Sequence, residues 1–261
     1  MKLYRINALL LKYYYITINS LDRIFDIFYW PLIDLVIWGF ASAYIRDISS
    51  YNLLSMFLGG IILWLFVWRS SQDIAVYILE DFWSRNLYHV FSSPIKISEQ
   101  VISVILLGFF RALITFVVLI ILAFFIYSFN LFTIPLYFIA ISIVLLSLFG
   151  WAMGLFVTAL IFIYGKRIQV LAWSVVWVIQ PFSCVFYPLS ALPGWAVPIA
   201  KVLPTTYIFE SLRSVISNNT INYYWLLYAL IIDIIFLLIM FLFLRFAFDR
   251  ARTTGLLAKS D

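Results

Sequence analysis

The chain has 261 residues, of which 66% are hydrophobic and only 11% charged, and a formal net charge of +5. A soluble domain carries roughly 25% charged and about 45–50% apolar residues, so this composition excludes a water-soluble globular protein. One cysteine, Cys184, and one histidine, His89, exclude an intrachain disulfide and a metal centre built from those side chains.

Residues 1–26 mix apolar side chains with Lys2, Arg5, Lys12, Asp22 and Arg23. Lys12 and the run Tyr13-Tyr14-Tyr15 spoil the unbroken apolar core of a secretory signal. The pattern predicts an amphipathic helix lying in the membrane interface. Six apolar runs follow, at about 27–45, 53–68, 101–127, 135–163, 168–187 and 223–244. Continuous runs of this kind read as membrane-spanning helices, whereas barrel strands would alternate in polarity. The predicted fold is an all-α polytopic membrane protein, a single domain over residues 1–261.

Orientation follows from the lysine and arginine bias. One side collects Lys2, Arg5, Lys12, Arg23, Arg69, Arg85 and Lys96, then Lys166, Arg167, Arg245, Arg250, Arg252 and Lys259. The other side has only Arg46, Lys201 and Arg213. Both termini are therefore expected in the cytoplasm.

Three segments depart from plain lipid-facing helix. The first is the predicted cytoplasmic loop 70–99. Val76, Leu79, Trp83, Leu87 and Val90 recur near helical spacing, interrupted by Glu80, Asp81, Arg85 and Asn86, and Ser93-Pro94 ends the pattern. Such a helix can bury one face and offer another to a partner, or simply lie in the interface. The second is the segment 181–204, which holds five of the eight prolines. Proline breaks the helical ladder, and irregular backbone at membrane depth requires protein or a water-filled cavity around it. Pro181 is expected to kink span five and Tyr187-Pro188 to end it. A re-entrant outer hairpin within 188–220 then turns at Leu192-Pro193-Gly194-Trp195. Pro204 opens a further short helix capped by Thr205 or Thr206. An ordinary surface loop is the alternative. The third feature is a set of charges inside spans: Asp34, Arg111 and Asp233. Asp34 and Arg111 match best in depth and are expected to pair; a proton or ion relay through all three is the other reading. Gly150-x-x-x-Gly154 is a weak signal for close helix approach.

No Walker A motif, no Gly-x-Ser-x-Gly and no His-Glu-x-x-His occurs. Neither enzymatic chemistry nor ATP hydrolysis is expected on this chain.

Two motifs carry a resemblance to a known family. In LEDFWSRNLYHVFSSPIKISE they are Glu80, Asp81, Trp83, Arg85, Asn86, Ser93, Pro94 and Glu99. In PFSCVFYPLSALPGWAVPIAKVLPTTYIFESLR they are Phe186-Tyr187-Pro188, Leu192-Pro193, Trp195, Leu203-Pro204, Tyr207, Glu210 and Arg213. With six spans, an N-terminal interfacial helix and a proline-broken hairpin, the chain resembles the ABC-2 type transporter permeases over nearly its whole length. It lacks the glycine-rich coupling loop of many members.

The resemblance implies a multi-pass subunit in a bacterial inner membrane, pairing with a second copy of itself among membrane lipids. A cytoplasmic ATPase dimer would bind the ATP and Mg that this chain does not. That ATPase would dock through Glu80, Asp81, Trp83, Arg85, Asn86, Leu87 and Pro94. The outer gate would involve Pro181, Phe186, Tyr187, Pro188, Leu192, Pro193, Trp195, Pro204 and Glu210. Export of an amphipathic, lipid-linked or drug-like substrate is implied, with no nucleic-acid partner. Two other readings stay open: an ion- or proton-coupled transporter using Asp34, Arg111 and Asp233, and a membrane enzyme or scaffold acting on lipids.

Overall fold

The computed structural model describes residues 2–46, 53–84, 86, 90 and 93–253. Among them are nine α-helices and no strand. They are α1 (Leu3–Ile18), α2 (Leu21–Arg46), α3 (Leu53–Trp83), α4 (Ile97–Tyr127), α5 (Leu136–Tyr164), α6 (Leu171–Ile179), α7 (Val197–Val202), α8 (Pro204–Asn218) and α9 (Tyr223–Thr253).

Helices α3 and α5 lie side by side at the centre and are mostly buried, while α2, α4 and α9 leave most of their apolar surface outside. α2 and α4 flank α3, and α9 flanks α5. The outer helices thus present apolar faces that water would not tolerate and lipid would. The central seam depends on two glycines. A Cβ on Gly150 would lie 2.6 Å from both the Ser70 Cβ and the Val67 carbonyl oxygen. One on Gly154 would lie 2.8 Å from the Ser71 carbonyl oxygen. The weak Gly-x-x-x-Gly signal is therefore the place where α5 closes onto α3.

Helix α1 buries Ile6, Leu9 and Tyr13, one stripe at helical spacing, against α4 and the end of α3. Leu3, Tyr4, Leu11, Tyr14 and Tyr15 stay exposed. This amphipathic helix is where the sequence places it.

Helix α3 does not stop near Trp68. It continues 15 residues into the segment expected to be a loop, ending at Trp83. The run Arg69-Ser70-Ser71-Gln72-Asp73 looks like an exit from the membrane, yet every one of these side chains is buried. The helix continues because its two charged members are paired and its two serines are small enough to be buried. Arg69 meets Asp26 at 2.6 Å and Asp73 meets Arg111 at 2.9 Å. The two small serines meet the two glycines of α5.

Span five departs furthest from expectation. Among the described residues five helices are long and apolar enough to cross a membrane, and the 168–187 segment supplies none of them. α6 has nine residues, roughly 14 Å at 1.5 Å per residue. It passes into a 3-10 turn over Gln180–Phe182, where Pro181 brings no N–H. Cys184 then takes a left-handed conformation at φ 54°, which no helix can continue through. This broken stretch still runs along α3, from Trp173 beside Trp83 to Val185 beside Gly60.

Beyond it come a 3-10 turn at Leu189–Ala191, a turn through Pro193-Gly194-Trp195, and α7. α8 opens at Pro204, as expected, but Thr205 and Thr206 do not cap it. Leu203 occupies the cap position, and both threonines are buried in the first turn. A proline at the first helical position has no N–H to be satisfied, which relieves the need for a side-chain cap. Thr206 Oγ1 instead donates to the Ala200 carbonyl at 2.7 Å, tying α8 back to α7.

Candidate functional site

The end of the molecule that carries α1 is built on one stripe of α3. Arg69, Asp73, Tyr77 and Asp81 follow each other at four-residue intervals and so share a face. Arg69 also donates to the Asp26 main-chain carbonyl. Arg111 Nη1 donates to Asp73 Oδ1 at 2.9 Å and to the Tyr77 hydroxyl at 3.1 Å. The Tyr77 and Thr17 hydroxyls lie 2.7 Å apart. Arg23 pairs with Glu80.

Asp81 receives the densest set of donors. Lys12 Nζ reaches its Oδ1 at 2.5 Å; the Tyr13 hydroxyl and Gln100 Nε2 reach Oδ2 at 3.1 and 3.0 Å. Gln100 Nε2 also donates to Tyr13 at 2.8 Å. Burial, followed by the neighbouring Asp81 carboxylate, pushes the Tyr13 phenol well above its usual range, so it remains a neutral donor. Beside Gln100 in the chain, Glu99 opens α4 by accepting from the main-chain N–H of Lys96 at 3.0 Å and of Lys2 at 2.9 Å. It also pairs with Arg5 at 3.6 Å. Arg5 in turn donates to the carbonyl of Pro94. Four helices, α1 to α4, are cross-linked here into one block.

This arrangement corrects two expectations. Asp81 does not face outward for a partner; it is 3% exposed and fully engaged inside the chain. Arg111 does not pair with Asp34, because α3 continues as helix and brings Asp73 to it first. The acidic and tyrosine partners at 73 and 77 were readable as an i, i+4 stripe. The helical pattern read within 70–99 runs from Val76 to Val90 on apolar residues, and so leaves out Asp73 and the hydroxyl of Tyr77.

Of the remaining predicted docking residues, Glu80, Trp83 and Asn86 collect on one surface. A groove of about 780 Å³ opens between α1 and the end of α3, lined by Lys12, Ile16, Glu80, Trp83, Ser84 and Asn86 along with Asp81. Trp83 is 44% exposed. Its indole N–H donates to Gln169 Oε1 at 3.2 Å, and its ring stacks on Trp173 with centroids 6.2 Å apart and 11° between planes. The groove is therefore in contact with the start of α6. Pro94 is exposed and does not line the groove. Arg85 and Leu87 lie outside the described residues.

At the opposite end, Glu210 and Arg213 of α8 hold the proline-rich segment. Glu210 Oε1 accepts from the Leu189 main-chain N–H at 2.6 Å. Arg213 Nη2 donates to Glu210 at 3.1 Å and to the Cys184 carbonyl at 2.7 Å. The Tyr187 hydroxyl donates to the carbonyl of Pro181. Phe186 stacks on Trp38 of α2, with centroids 3.9 Å apart. Pro188, Pro193 and Trp195 are exposed, Leu192 is half-buried, and Trp195 sets its ring against Phe182. Pro204 is buried at the start of α8. Of the charges inside spans, Asp233 is fully buried in α9 with neither carboxylate oxygen hydrogen-bonded.

A bundle of long apolar helices, with a charged block at one end and a broken helix at the other, is the architecture of a multi-pass membrane protein. The family model for the ABC-2 family transporter proteins matches residues 42–246. The chain belongs to that family and is a permease-type subunit of an ABC transporter. No curated protein matches it closely.

Proposed function

We propose that the chain is the membrane half of an ATP-driven exporter, working as two copies, each seated on a cytoplasmic ATPase that binds the ATP and Mg. The observation that carries this reading is the groove at Glu80, Trp83 and Asn86. It is open, mixed in charge and apolar surface, and backed by a rigid block. A partner pressing there pushes on Trp83, and Trp83 touches Gln169 and Trp173 at the foot of α6. Force at the groove thus reaches the helix that leads to the proline-rich segment. In this reading Asp81 acts from within, by fastening α1 to α3. The hairpin at 188–220 is the outer gate, and an amphipathic, drug-like or lipid-linked cargo leaves between the copies. Both termini are cytoplasmic, as the basic residues at the α1 end favour.

The ion-coupled alternative gains no support, because its only base, Arg111, is committed to Asp73. Co-purification with candidate ATPases tests the docking. Replacing Trp83 and Asn86 by alanine is expected to abolish the complex while the chain stays folded; a complex of unchanged yield would overturn the proposal.

A further inference from the structure

A second recess lies between α2, α3 and α6, away from the docking groove. Three helices turn aromatic faces into it. Trp38 comes from α2, Trp64 and Trp68 from α3 one turn apart, and Trp177 from α6; Phe186 adds a ring from the broken stretch. Asp34 lies one turn from Trp38 and lines the same recess. Among the described residues Asp34 has no hydrogen-bond or ion-pair partner. Gln180 is the neighbouring amide. Trp68 is 7% exposed, and its indole N–H is buried without an acceptor.

Interfacial tryptophans usually stand in a belt facing headgroups. Trp64 and Trp68 do not, since both are buried and point into the recess. An acid inside a span is costly unless it meets protein, water or ligand charge, and among the described residues no cation meets Asp34. Aromatic faces attract cations through their negative quadrupole, most strongly when water is excluded. A lone carboxylate ringed by indoles is the chemistry that recognises an organic ammonium or phosphonium.

We propose that this recess is a binding site for a monovalent lipophilic organic cation, held by ion pairing to Asp34 and by the faces of Trp38, Trp64, Trp177 and Phe186. The unpaired Trp68 N–H suits a carbonyl or ether oxygen on the same ligand. One face of Trp68 is already taken by the Arg69 guanidinium at 4.5 Å, whose charge Asp26 offsets. The free volume is about 20 Å³, room for a water, so this conformation is closed. Opening requires α2 and α6 to part. Both pack on α3, and the Trp38–Phe186 stack ties α2 to the stretch that follows α6. As the cargo site of the exporter, the recess rests on the function proposed above; as a binding site it does not.

The test uses the full chain in nanodiscs, without an ATPase, and radiolabelled tetraphenylphosphonium, with empty nanodiscs subtracted. Saturable binding is expected, weakened about tenfold by Asp34→Asn and several-fold by Trp177→Leu. Tetraphenylborate, of the same shape and opposite charge, is expected not to compete. Binding no greater than to empty discs, unchanged binding in Asp34→Asn, or displacement by the borate would each overturn the proposal. Should Asp34→Asn fail to fold, Trp177→Leu, whose ring is half outside, and the borate competition still decide. ATPase co-purification is measured in parallel. A chain that docks an ATPase but holds no cation sinks this inference alone, and one that holds the cation but docks nothing sinks only the exporter reading.

Discussion

The two ends of the molecule are held together by different physics. At the α1 end, charge pairs with at least one buried partner join helices far apart in sequence: Arg5 to Glu99, Lys12 to Asp81, Arg69 to Asp26 and Arg111 to Asp73. At the proline-rich end the work falls to the backbone. The non-glycine residues with positive φ among those described, Ser128, Cys184 and Asn219, all sit there. One side-chain pair, Glu210 and Arg213, fastens that segment by accepting from and donating to main-chain groups. Buried ion pairs fix geometry because separating them strands a charge; a segment held by neutral main-chain contacts and ring stacking opens at lower cost. The contrast suits a machine that receives force on a stiff end and yields at the other.

The contrast can be broken most directly at Asp73. Asp73→Ala leaves Arg111 buried without its acid and is expected to lower unfolding free energy by about 3–5 kcal/mol, read by thermal denaturation in detergent. The exchange Asp73→Arg with Arg111→Asp should recover much of that loss. Exchanging Asp34 with Arg111 should recover none, and recovery there would restore the pairing that the fold disfavours.

A smaller and more local effect is expected at Glu210. Glu210→Gln weakens its hold on the Leu189 N–H and on Arg213, lowering the local opening energy of 189–203 by about 1–3 kcal/mol. Hydrogen exchange at Leu189–Ala191 should accelerate while the melting temperature of the whole chain holds. If the melting temperature falls as far as in Asp73→Ala, the two ends are equally structural and the contrast is lost.

The smallest effect sharpens the backbone half of the comparison. Ser128, exposed and left-handed at φ 53°, ends α4. Ser128→Gly is expected to stabilise by up to about 1 kcal/mol, since glycine bears no Cβ penalty in that conformation. A destabilised variant would show that no strain resides there.

Helix α1, the five long helices and the proline break were legible because each is a local property. Apolar run length sets a span, stripe spacing sets an amphipathic face, and proline ends a ladder wherever it falls. The proposed docking groove was half legible. Trp83 and Asn86 of the motif line it, but the Asp81 carboxylate of the same motif is engaged within the chain, because Lys12, Tyr13 and Gln100 arrive from two other helices. The length of α3 was not legible, since Arg69 through Asp73 read as a polar exit until Asp26, Arg111, Gly150 and Gly154 are brought against them. Nor was the recess at Asp34, whose tryptophans are scattered over more than a hundred residues.

By itself the sequence determined which segments seek lipid and where the backbone must break, for those follow from neighbours along the chain. Only the tertiary structure decided which charge meets which. A buried charge takes whatever partner packing delivers within about 4 Å, and that partner is set by how the helices cross rather than by depth or distance in sequence.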